Sequence, residues 1–131
     1  MSSILYAQTA GSQTTQAGAW TPMPGLKFTL PIASAGAKTA LIILNIPNPY
    51  AKGNDYPGGM FGISVNSAVL VPIAVFTSDS KIPESTGRRP TTLVVQVKLT
   101  TNKQKIEGVW QSVRSSDVII DTPATMSAII S

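Results

Sequence analysis

Thr91-Thr92-Leu93-Val94-Val95-Gln96-Val97-Lys98-Leu99-Thr100 is the stretch that decides the fold. Leu93, Val95, Val97 and Leu99 take alternate positions, with Val94, Gln96, Lys98 and Thr100 between them. A strand sends successive side chains to opposite faces, so this period of two sets one apolar row against a core and leaves a mixed row outside. Downstream, Thr101-Asn102-Lys103-Gln104 turns the chain and Ile106 to Val113 runs back. Asp117 to Ile120 reads as a brief strand, and Thr122-Pro123 leads into a last one from Met126 to Ile130.

Upstream the same grammar repeats. Leu70 to Phe76 reads as a strand despite Pro72, whose missing N–H marks an edge or a bulge. Met60 to Val65 alternates, and it follows a turn cluster from Ala51 to Gly59 that carries Gly53, Asn54, Asp55, Pro57 and Gly58. Leu41-Ile42-Ile43-Leu44 is apolar on both faces, which predicts a strand covered on both sides and hence a subunit contact. It ends at the corner Pro47-Asn48-Pro49-Tyr50. Leu26, Phe28 and Leu30 share a face opposite Lys27 and Thr29, Ile4 to Thr9 alternates loosely, and Gly11 to Gly18 reads as an edge connection. No stretch carries the helical period. Roughly nine or ten closely spaced strands predict an all-β sandwich or jelly roll rather than a βαβ fold.

The 131 residues amount to one domain, 1–131, long enough to bury a core without staples. Neither cysteine nor histidine occurs. That removes disulfides, thiolate nucleophiles, the usual general base and the commonest metal ligands, so no metal and no cofactor is expected. Charged residues are 12% of the chain, about half the usual share, while apolar residues are 43%. Such a surface predicts self-association. The net charge of +4 comes from scattered Lys and Arg without a block, which speaks against nucleic acid. The start, Met1-Ser2-Ser3-Ile4-Leu5-Tyr6-Ala7, lacks a basic region and a signal-length apolar run, and no run reaches the ~20 residues of a membrane span. The expectation is cytoplasmic synthesis without membrane insertion, any release or surface association following a non-classical route.

The segment before the opening strand, Lys81-Ile82-Pro83-Glu84-Ser85-Thr86-Gly87-Arg88-Arg89-Pro90, reads as a stiffened loop that presents donors. Pro83 and Pro90 restrict it at both ends. Ser85 and Thr86 offer hydroxyls, and Arg88 and Arg89 offer planar forks of N–H groups at any physiological pH. Catalytic machinery is thin by comparison. Asp55, Asp79, Glu84, Glu107, Asp117 and Asp121 are the only carboxylates, and a glycosidase would need two, such as Glu84 and Asp121, flanking one bond. An enzyme is not expected.

A resemblance adds to this. Asn45-Ile46-Pro47-Asn48-Pro49-Tyr50-Ala51-Lys52-Gly53-Asn54, Phe76-Thr77, the Pro83-Glu84-Ser85-Thr86-Gly87-Arg88 string, Trp110-Gln111-Ser112-Val113-Arg114 and Ile120-Asp121 followed by Met126-Ser127-Ala128-Ile129 recur in order along most of the chain. They closely resemble the family of the fucose-binding N-terminal domain of the Burkholderia cenocepacia superlectin. The resemblance implies a tumour-necrosis-factor-like jelly roll, a homotrimer, and metal-independent bacterial lectin activity towards fucosylated oligosaccharides bound between protomers. It further implies that one protomer supplies Tyr50, Ser85, Thr86 and Arg88 and its neighbour Thr77 and Arg114, with Asp121 near the outer part of the glycan site. Two positions depart from the family pattern, Ser78 and Met60 standing where tyrosines are expected, so this wall of the pocket has changed character and sugar preference with it.

Plainer readings stand beside these. Tyr50 can cap the core next to Pro49, Arg114 can pair with Asp117, and Asp121 before Thr122-Pro123 is a good turn initiator. Arg89 reads as solvated surface, and Trp20 and Trp110 as core or trimer contact. The alternative to a lectin is a trimeric jelly-roll ligand for a protein receptor, or a structural subunit.

Overall fold

The computed structural model describes residues 3–85 and 87–131. Among them there is no helix; twelve strands follow in chain order. They are β1 (Ser3–Gln8), β2 (Gln13–Thr15), β3 (Thr21–Leu30), β4 (Thr39–Ile46), β5 (Pro49–Lys52), β6 (Gly58–Val65), β7 (Ala68–Val69), β8 (Ala74–Thr77), β9 (Thr91–Lys98), β10 (Gln104–Val113), β11 (Asp117–Ile120) and β12 (Thr125–Ile130). All pairings are antiparallel. One sheet runs β1-β12-β4-β9, a second β3-β10-β6-β7 with β8 also on β6, and a small third β2-β11-β5.

The two larger sheets form a sandwich. Leu93, Val95 and Val97 of β9 and Ile42 and Leu44 of β4 turn inward, as the alternation requires, and meet Leu26, Phe61, Ile63, Ile106 and Trp110 of the second sheet in one buried cluster. Val118 and Ile120 tie the third sheet into the same core. Trp110 is 2% exposed and stacks on Phe61, which stacks in turn on Phe76. Trp110 is therefore core, whereas Trp20 is half-buried on the outer side, where its ring lies against Gly62.

Several expectations change in detail. Of the expected Leu70–Phe76 strand only Ala74–Phe76 is strand, within β8; β7 lies ahead of it, both pair with β6, and the cis Val71–Pro72 bond falls in the unpaired stretch between them. Pro72 cannot donate to a ladder, which accounts for the late start of β8. Tyr50 lies within β5, opposite Ile119, rather than at a corner. In β3 the inward residues Met23 and Leu26 are three apart, because a register shift falls opposite Glu107 and Val109. Gly25, at φ +92°, absorbs it; an added Cβ would stand 2.9 Å from the Gln8 carbonyl oxygen.

The double burial expected of Leu41–Leu44 is not met within one chain. Ile42 and Leu44 are fully buried, but Leu41 on the other face is 39% exposed. Around it the register aligns Ile4, Ile129 and Leu41 in one row and Tyr6, Ser127, Ile43 and Val94 in the next. This sheet therefore turns an open apolar face outward. Its ends differ: Ser3, Ile130, Ala40 and Val97 lie side by side at one, and Gln8, Thr125, Asn45 and Thr92 at the other. From that second end β4 leads into β5, and the Lys81–Pro90 loop feeds β9.

β10 passes to β11 through Arg114 and Ser115, both at positive φ (50° and 58°), with the Ser116 N–H donating to the Val113 carbonyl at 3.2 Å. Two consecutive positive φ values are the condition of a type I′ turn, usually met by Asn-Gly. Each L-residue in this region costs roughly 1–2 kcal/mol, partly offset for glycine by the ~0.5–1 kcal/mol of extra unfolded-chain freedom. Ser115→Gly is accordingly expected to stabilise the fold by about 1 kcal/mol, read as a raised urea midpoint at unchanged slope.

Candidate functional site

The Lys81–Pro90 loop is fastened at two points. The Tyr56 N–H donates to the Lys81 carbonyl at 3.0 Å, and the Arg89 N–H to the Pro49 carbonyl at 2.9 Å. Between these anchors Arg88 reaches back over β5. Its guanidinium carbon sits 3.9 Å from the centre of the Tyr50 ring, Nη2 pairs with Asp121 Oδ2 at 2.9 Å, and Nη1 reaches the Asn48 carbonyl at 3.4 Å. The cation lies on the negative face of the ring while a carboxylate fixes its rotation.

Strand register explains why these three converge. Pro49 faces Ile120 across the β5–β11 pair, so Asn48 and Asp121, the next residues outward, leave the sheet together. The Asn48 side-chain amide donates to Thr122 Oγ1 at 2.9 Å and closes that corner. Tyr50, Arg88 and Asp121 form one cluster; Ser85 stands exposed on the same loop, and Thr86 lies outside the described residues.

Thr77 and Arg114 belong to a second cluster. Thr77, Gly58 and Val113 lie in one row across β8, β6 and β10, and Arg114 follows directly. Arg114 does not pair with Asp117, whose partner is the side chain of Gln16. Instead its Nε donates to the Asp55 carbonyl at 2.8 Å and its Nη2 to the Tyr56 carbonyl at 2.5 Å, under the Tyr56 ring at 5.8 Å. The positive-φ turn aims it there, away from β11. Met60 is half-buried between Val75 and Gln111 in the next row. Ser78 closes a turn, its Oγ accepting from the Ser80 N–H at 3.1 Å and its own N–H donating to the Pro57 carbonyl at 2.8 Å. Among the described residues no hydrogen bond or ion pair joins the Arg88 cluster to the Arg114 cluster.

Two contributors escaped the sequence reading. Asn48 and Tyr56 sit in the proline corner and the turn cluster, where an aromatic and an amide among turn formers were the available signal. Arg89, read as solvated surface, is exposed and borders a cleft of about 460 Å³ beneath the loop together with Ser78, Asp79, Glu84, Ser85 and Phe76. Ser85 and Glu84 also border a second hollow beside Lys52 and Gly53. The constellation supplies forked donors, hydroxyls and an aromatic face at the surface, which suits a hydroxylated ligand bound without covalent chemistry.

The sequence matches no curated protein. Among solved structures the fold is similar to dimeric latent PorU from Porphyromonas gingivalis, with a TM-score of 0.55 at 8% identity over 98% of this chain. The match takes up 12% of the PorU chain and is one of fold alone. The C-terminal domain of EclA, a sugar-binding protein, is similar at a TM-score of 0.47 and 13% identity over 89% of this chain and 79% of its own. A family model described as the N-terminal domain of Bc2l-C matches residues 6–129.

Proposed function

Because this chain belongs to the Bc2l-C N-terminal domain family, we propose that it is a lectin: a metal-independent, non-enzymatic protein that binds fucosylated glycans at sites shared between the protomers of a homotrimer. The observation that carries this is Arg88, held over the Tyr50 ring and oriented by Asp121, on the same loop as the exposed Ser85. A guanidinium so placed donates two parallel hydrogen bonds to ring oxygen and neighbouring hydroxyls, and serine can match either polarity. In this reading Tyr50, Ser85, Thr86 and Arg88 form half of each site, and Thr77 and Arg114 of the adjoining protomer form the other half. Within one chain no hydrogen bond or ion pair joins the two sets among the described residues, which is compatible with a site shared between chains.

The assembly is a tumour-necrosis-factor-like jelly roll. Its support is the alternation of strands between sheets, with β3, β6 and β10 in one and β4, β9 and β12 in the other, as in a double-sheet jelly roll. The open face of the first sheet, where Ile4 is 71% and Val94 49% exposed, is the trimer contact. The same face is also what a trimeric receptor ligand would use, which keeps that second reading in play.

Glycan-array binding together with sedimentation mass tests the proposal. Fucosylated glycans are expected to be captured, capture is expected to disappear after fucosidase treatment, and the mass is expected to be that of three chains. A persistent monomer at high concentration, or a protein partner retained after complete deglycosylation, would overturn it.

A further inference from the structure

The fold gathers lysines that the sequence scatters. Lys38 is tied to the chain end and to β9, its N–H donating to the Ser131 carbonyl at 2.8 Å and its carbonyl accepting from the Leu99 N–H at 2.9 Å. Lys98 ends β9 opposite Thr39, and Lys103 stands in the turn between β9 and β10. Lys105 and Lys27 continue the group along β10 and β3, where they share a hollow with Phe28 and Thr29. All five are exposed, and the one acid beside them among the described residues, Glu107, is 8% exposed and held by Lys105 at 3.6 Å. The remaining five bases and five acids stand around β5, β11, the Arg114 turn and the Lys81–Pro90 loop, and they cancel. The whole side-chain charge of +4 therefore resides at the end of the molecule where Ser3 meets Ile130.

We propose that this lysine pole docks on the surface of an anionic lipid bilayer without spanning it, leaving the Arg88 end turned away. Charge complementarity gives the first reason. Lys27, Lys38, Lys98 and Lys103 form no ion pair among the described residues, so their charge is free to meet phosphate headgroups within a Debye length. An uncharged tip among these lysines gives the second. Between β3 and β4 the residues from Ile32 to Gly36 are all exposed, Ile32 by 50%, and none is charged. Ser34 and Ala37 exchange backbone hydrogen bonds of 2.8 and 3.3 Å, and the Ala33 N–H donates to the Thr100 carbonyl at 2.6 Å, which holds the tip closed and next to the β9–β10 turn. Such a tip suits the boundary of a bilayer, with Ile32 and the alanines against the acyl edge and the ammonium groups kept at headgroup level on their long stems. A nucleic acid would favour the planar fork of arginine, and all three arginines lie at the other end.

Flotation of the intact chain with vesicles of phosphatidylcholine and phosphatidylglycerol in equal parts, and with vesicles of phosphatidylcholine alone, tests this. Binding is expected to the mixed vesicles only, and it is expected to fall as sodium chloride is raised. Lys98→Gln and Lys103→Gln are each expected to weaken it about fivefold, the loss that one lysine near an anionic surface implies, and to flatten its salt dependence. Lys52→Gln makes the same change in net charge at the other pole and is expected to leave vesicle binding as it is. Ile32→Ser is expected to weaken binding several-fold without altering its salt dependence. All four side chains are exposed, so melting curves close to the parent's are expected and serve as the check on folding. Inorganic phosphate is expected to displace the protein no better than chloride at equal ionic strength. Equal binding to phosphatidylcholine alone, or equal losses in Lys52→Gln and Lys98→Gln, would overturn the docking pole. Tighter retention by duplex DNA than by the mixed vesicles would overturn it too and assign the lysines to a nucleic acid. Glycan capture plays no part in these readings, so their failure leaves the lectin proposal untouched.

Discussion

Arg88→Ala is expected to weaken binding of a fucosylated glycan by about 10- to 100-fold while leaving thermal stability nearly unchanged. The two effects separate because the side chain is engaged differently in each state. In the free protein the Arg88–Asp121 pair is 43% and 38% exposed, and pairs in such surroundings contribute roughly 0–1 kcal/mol. Under a bound sugar the same guanidinium is shielded from water, and hydrogen bonds to a charged donor are then worth roughly 1.5–3 kcal/mol. Arg88→Lys keeps the charge but loses the planar fork over Tyr50, so it should recover little of the affinity. Titration calorimetry and a melting curve read the two quantities. An unchanged dissociation constant, or a Tm drop as large as that of a core variant, would exclude Arg88 as a binding residue.

The largest expected effect on stability comes from Gly58→Ala. A Cβ at this position would stand 2.1 Å from the Phe76 carbonyl oxygen and 2.9 Å from the Thr77 Cα, both backbone atoms of β8. No rotamer relieves such a contact, so β6 and β8 must part. Overpacking usually costs 1–3 kcal/mol, and a clash with backbone belongs at about 3 kcal/mol. Because β8 carries Thr77, binding is expected to fall as well. Gly18→Ala is the control, since nothing lies within 4 Å of the added methyl. Equal urea midpoints for the two variants would show that β6 and β8 do not approach so closely in solution.

How much of this was legible beforehand depends on the range of the interaction. The alternation of Leu93, Val95, Val97 and Leu99 is local and reports one buried face, which β9 shows. The expectation of two buried faces for Leu41–Leu44 followed from the same rule, but composition cannot tell what covers the second face. Arg114 could not be placed by pattern, because Arg-Ser is not the usual content of a turn with two positive φ values, and without that turn Asp117 is its nearest acid in sequence. Arg88, Tyr50 and Asp121 come from three distant segments, and only the β5–β11 register makes them meet. The exposure of Arg89 was readable from the polar, extended character of its segment; the cleft it borders was not, since Ala51, Pro57 and Phe76 reach it from distant parts of the chain.

The unlike ends of the four-stranded sheet give the molecule a polarity. Ser3 pairs with Ile130 beside Ala40 and Val97, so the described chain enters and leaves together, at the far end from Asn45 and Thr92, where β5 and the loop begin. A fusion partner, surface linker or bead attached through either terminus would therefore hang from one pole and leave the opposite pole unobstructed.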